Sequence, residues 1–201
     1  MSELLLVRHG ETAWSRSGQH TSWTDVPLTP DGEEQARALR PLLSARKIGA
    51  AFVSPMGRAL RTAELAGLPD ARIEPDLREW DYGGYEGITT AEIHRTKPDW
   101  FLFADGVAPG PPGHPGETPD EVGQRADRVL ARIEPYLTGG EGEGGDVVLV
   151  AHSHFLRVLT ARRLGLPASA GALFTFETGH VGVLGEEHGR PAVVAWNART
   201  L

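Results

Sequence analysis

The sequence predicts an α/β fold: a single three-layer α/β/α domain, residues 1–201, with a mainly parallel central sheet. Three observations lead there. Short continuous apolar runs at residues 4–7, 50–53 and 146–151 have the length and composition of strands buried on both faces. Each run is followed by a segment with helix-start signals or helical apolar spacing. Strands and helices then alternate along the whole chain, the pattern of a parallel sheet covered by helices. A length of 201 residues suits one domain with a well-buried core, since domains typically run ~100–200 residues.

Each element has a local reason. The run at 4–7 stops abruptly at Arg8-His9-Gly10. After the turn Val26-Pro27-Leu28, Thr29 is a good N-cap, Pro30 fits the first helical position, and Asp31 and Glu33 suit the first turn. Ala36, Leu39, Leu42 and Leu43 recur at helical spacing. The second strand ends at Ser54-Pro55, which is expected to cap a helix reaching about Ala66 and stopping at Gly67. Residues 109–116, Pro-Gly-Pro-Pro-Gly-His-Pro-Gly, form a loop by composition. Thr118-Pro119-Asp120-Glu121 is a capping box, and Val122, Ala126, Val129, Leu130, Ile133 and Leu137 give the following helix one apolar face. Residues 139–145 form a flexible acidic connector at the surface. The run 146–151 leads through His152-Ser153-His154 into a helix at 155–164, and 181–184 and 192–196 read as two late strands.

Composition narrows the functional classes. The net charge of −7 has no basic face, which argues against non-specific binding of nucleic acid or anionic membranes. There is no cysteine, so disulfides, thiolate nucleophiles and cysteine-ligated metals are excluded. The N-terminus is too short and acidic for a secretory signal, and no apolar run approaches the ~20 residues of a membrane span. A soluble cytoplasmic protein is the expectation.

In sheets of this kind, ligands bind beyond the carboxyl ends of the strands. The segments ending in Arg8-His9, in 54–58 and in His152-Ser153-His154 share the order buried strand, polar residues, loop or helix, and are expected on one rim. Two arginines, two histidines and a carboxylate gathered there suit a phosphate ester. Arginine pairs bidentately with phosphate oxygens. Neutral imidazole is a nucleophile near neutral pH. The leaving alkoxide needs a proton from a nearby carboxylic acid, whose affinity for that proton a dianionic phosphate would raise.

Here the residues carry a resemblance. Arg8-His9-Gly10-Glu11-Thr12 after a buried strand resembles the opening motif of the histidine phosphatase superfamily, also called phosphoglycerate-mutase-like. Trp23-Thr24-Asp25-Val26-Pro27-Leu28-Thr29, Ser54-Pro55-Met56-Gly57-Arg58-Ala59-Leu60-Arg61-Thr62 and Leu77-Arg78-Glu79-Trp80-Asp81-Tyr82-Gly83-Gly84-Tyr85-Glu86-Gly87 resemble later blocks of that family. Gly116-Glu117-Thr118 and Val150-Ala151-His152-Ser153-His154 resemble the last two. The resemblance implies His9 as nucleophile, with Arg8, Arg58 and His152 holding the phosphoryl oxygens. It implies Glu79 as proton donor and then as base for water. Ser15, Thr21 and the backbone N–H of Ser153 would complete the phosphate pocket, the last suited to it by lying where a helix begins. No metal or cofactor is implied. Ser15 stands where mutase members usually have asparagine, and Ser153 replaces the usual glycine after the second histidine.

Within the family, mutases carry extra cations after the acid block to grip a carboxylate. Residues 88–100 offer only Arg95 and Lys97, which favours hydrolysis over a phosphoglycerate mutase activity. The blocks at 19–25 and 79–83 look closest to broad-specificity acid phosphatases and to sugar bisphosphatases of the sedoheptulose type. His20, Tyr82 and Arg157 are the candidates for contacts to the rest of the substrate. The expected partner is a small phosphorylated metabolite; a homodimer is the one protein assembly left open, as is a non-catalytic phosphate-binding module.

Several residues have a plainer reading. Arg61, three residues from Arg58 on one helix, and Glu86 and Asp81, near Glu79, compete for the same roles. His94, His114 and His188 read as surface residues, and Trp80, Trp100 and Phe101 as core or cleft wall. The eight histidines lack a metal-ligand spacing such as His-Glu-x-x-His.

Overall fold

A computed structural model describes residues 2–140 and 144–199. The chain order is β1 (Leu4–Arg8), α1 (Ala13–Ser17), α2 (Pro30–Ala38), α3 (Arg40–Ser44), β2 (Ile48–Val53), α4 (Gly57–Leu65) and β3 (Arg72–Ile73). Then follow α5 (Thr90–His94), α6 (Leu102–Asp105), α7 (Pro119–Leu137), β4 (Asp146–Ala151), α8 (Ser153–Arg163), β5 (Val181–Glu187) and β6 (Arg190–Ala198). The strands form a six-stranded sheet in the order β3-β2-β4-β1-β5-β6. β1, β2, β3 and β4 pair in parallel; β5 and β6 add an antiparallel edge. The fold is therefore the expected mainly parallel α/β sheet, with β5 reversed against β1 and β6 turned back against β5. β6 is antiparallel because His188 and Gly189, both at positive φ, close a two-residue hairpin after β5.

The sheet is buried on both faces, and alternation along each strand shows it. Leu4 and Leu6 of β1, with Val147, Leu149 and Ala151 of β4, pack against α7 and α8. Leu5 and Val7, with Val148 and Val150, pack against Leu39, Leu43 and the alanines of α4. These strand side chains are at most 1% exposed, and burying each Leu or Val contributes about 1.5–3 kcal/mol. Two helical layers around one sheet result.

Three sequence expectations are corrected at element ends. The helix beginning at Thr29 breaks at Leu39, because Pro41 has no N–H to continue the ladder; α3 restarts at Arg40. Ser54 does not cap α4, whose N-cap is Met56 with no side-chain bond; the Ser54 hydroxyl turns instead to His152. α8 begins at Ser153, two residues earlier than the apolar pattern suggested. The capping box at Thr118 forms as read, with the Thr118 N–H donating to Glu121 at 2.8 Å. Of the acidic connector at 139–145, residues 141–143 lie outside the described residues.

The topology positions the site. β2, β4 and β1 are adjacent and parallel, so their carboxyl ends meet on one rim. The His9 N–H donates to the Ala151 carbonyl and the Ser54 N–H to the Val150 carbonyl, each at 3.0 Å, which ties the three endings together.

Candidate active site

Beyond this rim lies a cleft of about 230 Å³. Of the residues singled out in the sequence, Arg8, His9, Ser15, His20, Thr21, Glu79, Tyr82 and Ser153 line it. Arg58, His152 and Arg157 do not; they stand behind or beside its wall.

His9 is 6% exposed, and its Nδ1 meets the Gly10 carbonyl at 2.7 Å. A carbonyl only accepts, so Nδ1 carries the proton and the neutral ring keeps a bare Nε2. Burial, with Arg58 and Arg8 nearby, pushes the His9 pKa well below 6.5. Gly10 is required by packing: a Cβ there would stand 2.1 Å from the Gly32 carbonyl oxygen in the first turn of α2. The Gly10 N–H donates to Thr62 Oγ1, which itself donates to the Arg58 carbonyl, so β1, α2 and α4 together hold the imidazole.

Arg8, the last residue of β1, reaches into the cleft. One of its Nη atoms donates to the Phe176 carbonyl, which also accepts from Ser153 Oγ at 3.2 Å. Its Nε is buried and has no hydrogen-bond partner among the described residues. An unsatisfied buried guanidinium N–H costs about 1–3 kcal/mol or more, which an arriving anion would recover.

Arg58 is fully buried. Its Nη atoms donate to the carbonyls of Thr24 at 3.0 Å and Ser22 at 2.9 Å, and its Nε donates to His152 Nδ1 at 3.3 Å. His152 Nε2 meets Ser54 Oγ at 2.8 Å, and its ring lies edge-on to His9 with centroids 5.1 Å apart. Both imidazole nitrogens of His152 are thus engaged, and burial with Arg58 holds its pKa well below 6.5. Glu86 accepts from the Ser22 N–H at 2.9 Å and the Thr24 N–H at 3.0 Å, fixing the loop whose carbonyls grip Arg58. Arg61 is left at the surface with Glu33 and Glu64. Of the two arginines, Arg58 is thus the buried one and Arg61 the surface one.

Glu79 is 6% exposed and sits at the amino end of α8. Its Oε1 accepts from the N–H groups of Trp80 at 2.9 Å and Phe155 at 2.8 Å, and its Oε2 from that of His154 at 3.1 Å. It supplies from a distance the cap that His152 does not provide. The segment carrying Glu79 is held by Arg125, which pairs with Glu117 and donates to the carbonyls of Asp76, Arg78 and Glu79. Asp81, the other competitor, accepts from the Gly83 N–H. Ser153, being the first helical residue, has no intrahelical acceptor for its N–H. Its φ is not positive, so nothing there demands glycine.

The remaining candidates divide. Ser15 shares a reciprocal cap with Thr12, so its hydroxyl is partly committed. Thr21 Oγ1 donates to the Gln19 carbonyl. His20 Nδ1 meets the Ile88 carbonyl at 2.7 Å. Tyr82 is 2% exposed, with its hydroxyl 2.6 Å from His154 Nδ1. Arg157 donates from Nε to the Gly171 carbonyl and stacks over the Phe103 ring at 4.6 Å. The sequence reading missed Gln19, Thr90 and His154 in the cleft wall; His154 was visible two residues after His152 but had no assigned partner. Phe101 is half-exposed rather than core, and His114 stacks on Trp23 rather than standing free. Among the described residues, no group of three or more His, Cys, Asp or Glu side chains is placed to share a metal ion. No helix among them is long and apolar enough to cross a membrane.

A model of the histidine phosphatase superfamily (branch 1) matches residues 4–199. The chain belongs to that superfamily. It is 40% identical to an acid phosphatase of Mycobacterium tuberculosis over 92% of this chain and 87% of the relative. It is 36% identical to the sedoheptulose 1,7-bisphosphatase of Saccharomyces cerevisiae, over 81% of this chain and 67% of the relative. A 2,3-bisphosphoglycerate-dependent phosphoglycerate mutase of Gloeobacter violaceus is also similar, at 32% identity over 79% and 74%. The solved structure of a Mycobacterium tuberculosis open reading frame superposes with a TM-score of 0.88 at 38% identity, covering 98% of this chain and 97% of that one.

Proposed function

We propose that the protein is a phosphomonoesterase that hydrolyses small phosphorylated metabolites, sugar phosphates or bisphosphates, through a phosphohistidine on His9. The observation that carries this reading is the pairing, in one cleft, of a bare neutral imidazole nitrogen on His9 with the orphaned buried Nε of Arg8. One group offers a nucleophile and the other calls for an anion beside it.

The lone pair of His9 Nε2 attacks phosphorus while the bond from phosphorus to the ester oxygen breaks. Glu79 gives its proton to that oxygen. Arg8 and the Ser153 N–H hold the charge spread over the phosphoryl oxygens. Water then attacks the phosphoenzyme, Glu79 takes its proton, the N–P bond breaks, and inorganic phosphate leaves. Arg58 and His152, which do not line the cleft, act chiefly on the His9 ring: His152 packs edge-on against it and Arg58 helps to keep it neutral.

Hydrolysis is favoured over isomerisation because no carboxylate clamp reaches the cleft. Arg95 is exposed, and Lys97 donates to the Tyr85 hydroxyl at 3.0 Å beside a separate cavity. The test is phosphate release from sugar phosphates and an aryl phosphate in the presence of EDTA, with 3-phosphoglycerate isomerisation followed in parallel. Release without isomerisation is expected; EDTA-sensitive release, or isomerisation stimulated by the bisphosphate, overturns the reading.

A further inference from the structure

One wall of the cleft is built from the buried rings of His20 and Tyr82 and the half-buried ring of His154, which the phosphoryl chemistry does not use. The His20 ring stands 4.8 Å from Tyr82 and lies nearly parallel to the His154 ring at 6.5 Å, and all three residues line the cleft. Trp100 behind His20 and Phe103 behind His154 close this wall at centroid distances of 5.7 and 5.6 Å.

Hydrogen bonding fixes what each ring shows. His20 Nδ1 faces the Ile88 carbonyl, so its proton sits there and Nε2 is a bare acceptor. His154 Nδ1 faces the Tyr82 hydroxyl, for which no other acceptor is in hydrogen-bond reach among the described residues. The phenol therefore donates, and the proton of His154 is displaced to Nε2, which becomes a donor. Burial keeps this arrangement uncharged: it lowers the pKa of both histidines and raises that of Tyr82. Nearby charges act on it less than burial does: Glu79 on His20 and Tyr82, Arg157 and Arg8 on His154. Glu79 is occupied by three backbone N–H groups, and Arg157 is drawn off to Gly171 and the Phe103 face.

We infer that this wall is a hydroxyl-recognition subsite, in which His154, locked by Tyr82, presents an N–H donor and His20, locked by the Ile88 carbonyl, a bare nitrogen to hydroxyls of the leaving group. A hydroxyl both donates and accepts, so a polyol satisfies both nitrogens. A carboxylate only accepts, so its oxygens would face the lone pair of His20, a ring on which the nearby charges, Glu79 and Glu86, are negative. The substrate class is thus a phosphorylated sugar or polyol rather than a phosphorylated hydroxy acid. This rests on the phosphatase reading above, and Tyr82 acts on substrate only through His154, as a positioning residue.

The test compares kcat/KM for a panel of sugar phosphates with that for 4-nitrophenyl phosphate, whose leaving group has no aliphatic hydroxyl, in the wild type, Tyr82→Phe, His154→Leu and His154→Gln. Removing the lock or the donor is expected to lower the sugar-to-aryl ratio about tenfold or more, mostly through KM. His154→Gln, which restores an N–H donor, is expected to recover part of the ratio. Tyr82→Phe keeps the ring packing, so it reads the effect if His154→Leu fails to fold. A ratio that stays within about twofold of wild type in both loss-of-lock variants overturns the inference and leaves the phosphatase reading intact. Wild-type hydrolysis of the aryl phosphate but of no sugar phosphate does the same. Release of phosphate from neither compound overturns the phosphatase reading, and this inference with it.

Discussion

At the scale of single residues, the site is a set of committed hydrogen bonds that leaves a few atoms free. His9 Nε2 and Arg8 Nε are free because their sister atoms are tied to the carbonyls of Gly10 and Phe176. Glu79 is the opposite case: both oxygens already hold backbone N–H groups, so its carboxyl is held in place before substrate arrives. Glu79→Gln is expected to lower kcat by about 10²–10⁴-fold on sugar phosphates, the usual range for a lost general acid. The loss on 4-nitrophenyl phosphate should be smaller, because nitrophenolate leaves without a proton. Equal losses on both would remove Glu79 from the proton-transfer step. Arg8, His9 and Ser153 were legible in the sequence by their place at the end of a strand or the start of a helix, whereas Glu79 came only from the family resemblance. What could not be read was direction. Nothing local in the sequence shows that Arg58 spends its donors on the carbonyls of Ser22 and Thr24, or that Ser15 closes a cap with Thr12. The carbonyl of Phe176, 168 residues from Arg8, leaves no side-chain signal at all.

At the scale of elements, two helix starts build the site. α2 is brought so close to the loop after β1 that Gly10 and Gly32 each lack room for a Cβ; one on Gly32 would stand 2.1 Å from the Glu11 carbonyl oxygen. Gly32→Ala must push α2 away from that loop. A cost of about 1–3 kcal/mol is expected, the range for overpacking, read as a lower midpoint in urea with an unchanged slope. An unchanged midpoint would show that the approach is slack. α8 is the second start. His152 is a poor N-cap, and no residue beside it in the chain suggests a partner for the helix other than a phosphate; the structure supplies Glu79, 75 residues away from His154. Elements with their own local caps, such as α2 and α7, were placed correctly to within a residue of their starts. α4 and α8, whose ends are satisfied by distant groups or by none, were placed two residues out.

At the scale of the whole molecule, a sheet buried on both faces brings three histidines of the site out of water. Burial first, then nearby arginines, holds His9, His152 and His154 well below the ordinary 6.5. The unfolded chain protonates these groups near pH 6.5 and the folded one only further down. Between those points the unfolded state binds more protons, so stability falls as pH falls through that window and is full above it. The melting temperature is expected to be level above about pH 6.5 and to drop steadily below it, each group adding up to ~1.4 kcal/mol per pH unit. A level melting temperature from pH 7 to pH 5 would mean that these rings are not held neutral. The fold itself was legible because buried strands read as apolar runs in a parallel sheet. The reversed edge was not, because a strand's direction is set by the length and handedness of its connection rather than by its own residues.

The account's central claim is that phosphate passes through His9. The most direct measurement is to mix the protein with a ³²P-labelled sugar phosphate in EDTA, quench in alkali, and locate the label by peptide mapping. The account predicts an acid-labile, alkali-stable phosphoryl group on the peptide carrying Arg8-His9-Gly10, absent in His9→Ala and lost with release of inorganic phosphate on a chase with unlabelled substrate. Label on another residue, or turnover that persists in His9→Ala, would contradict it.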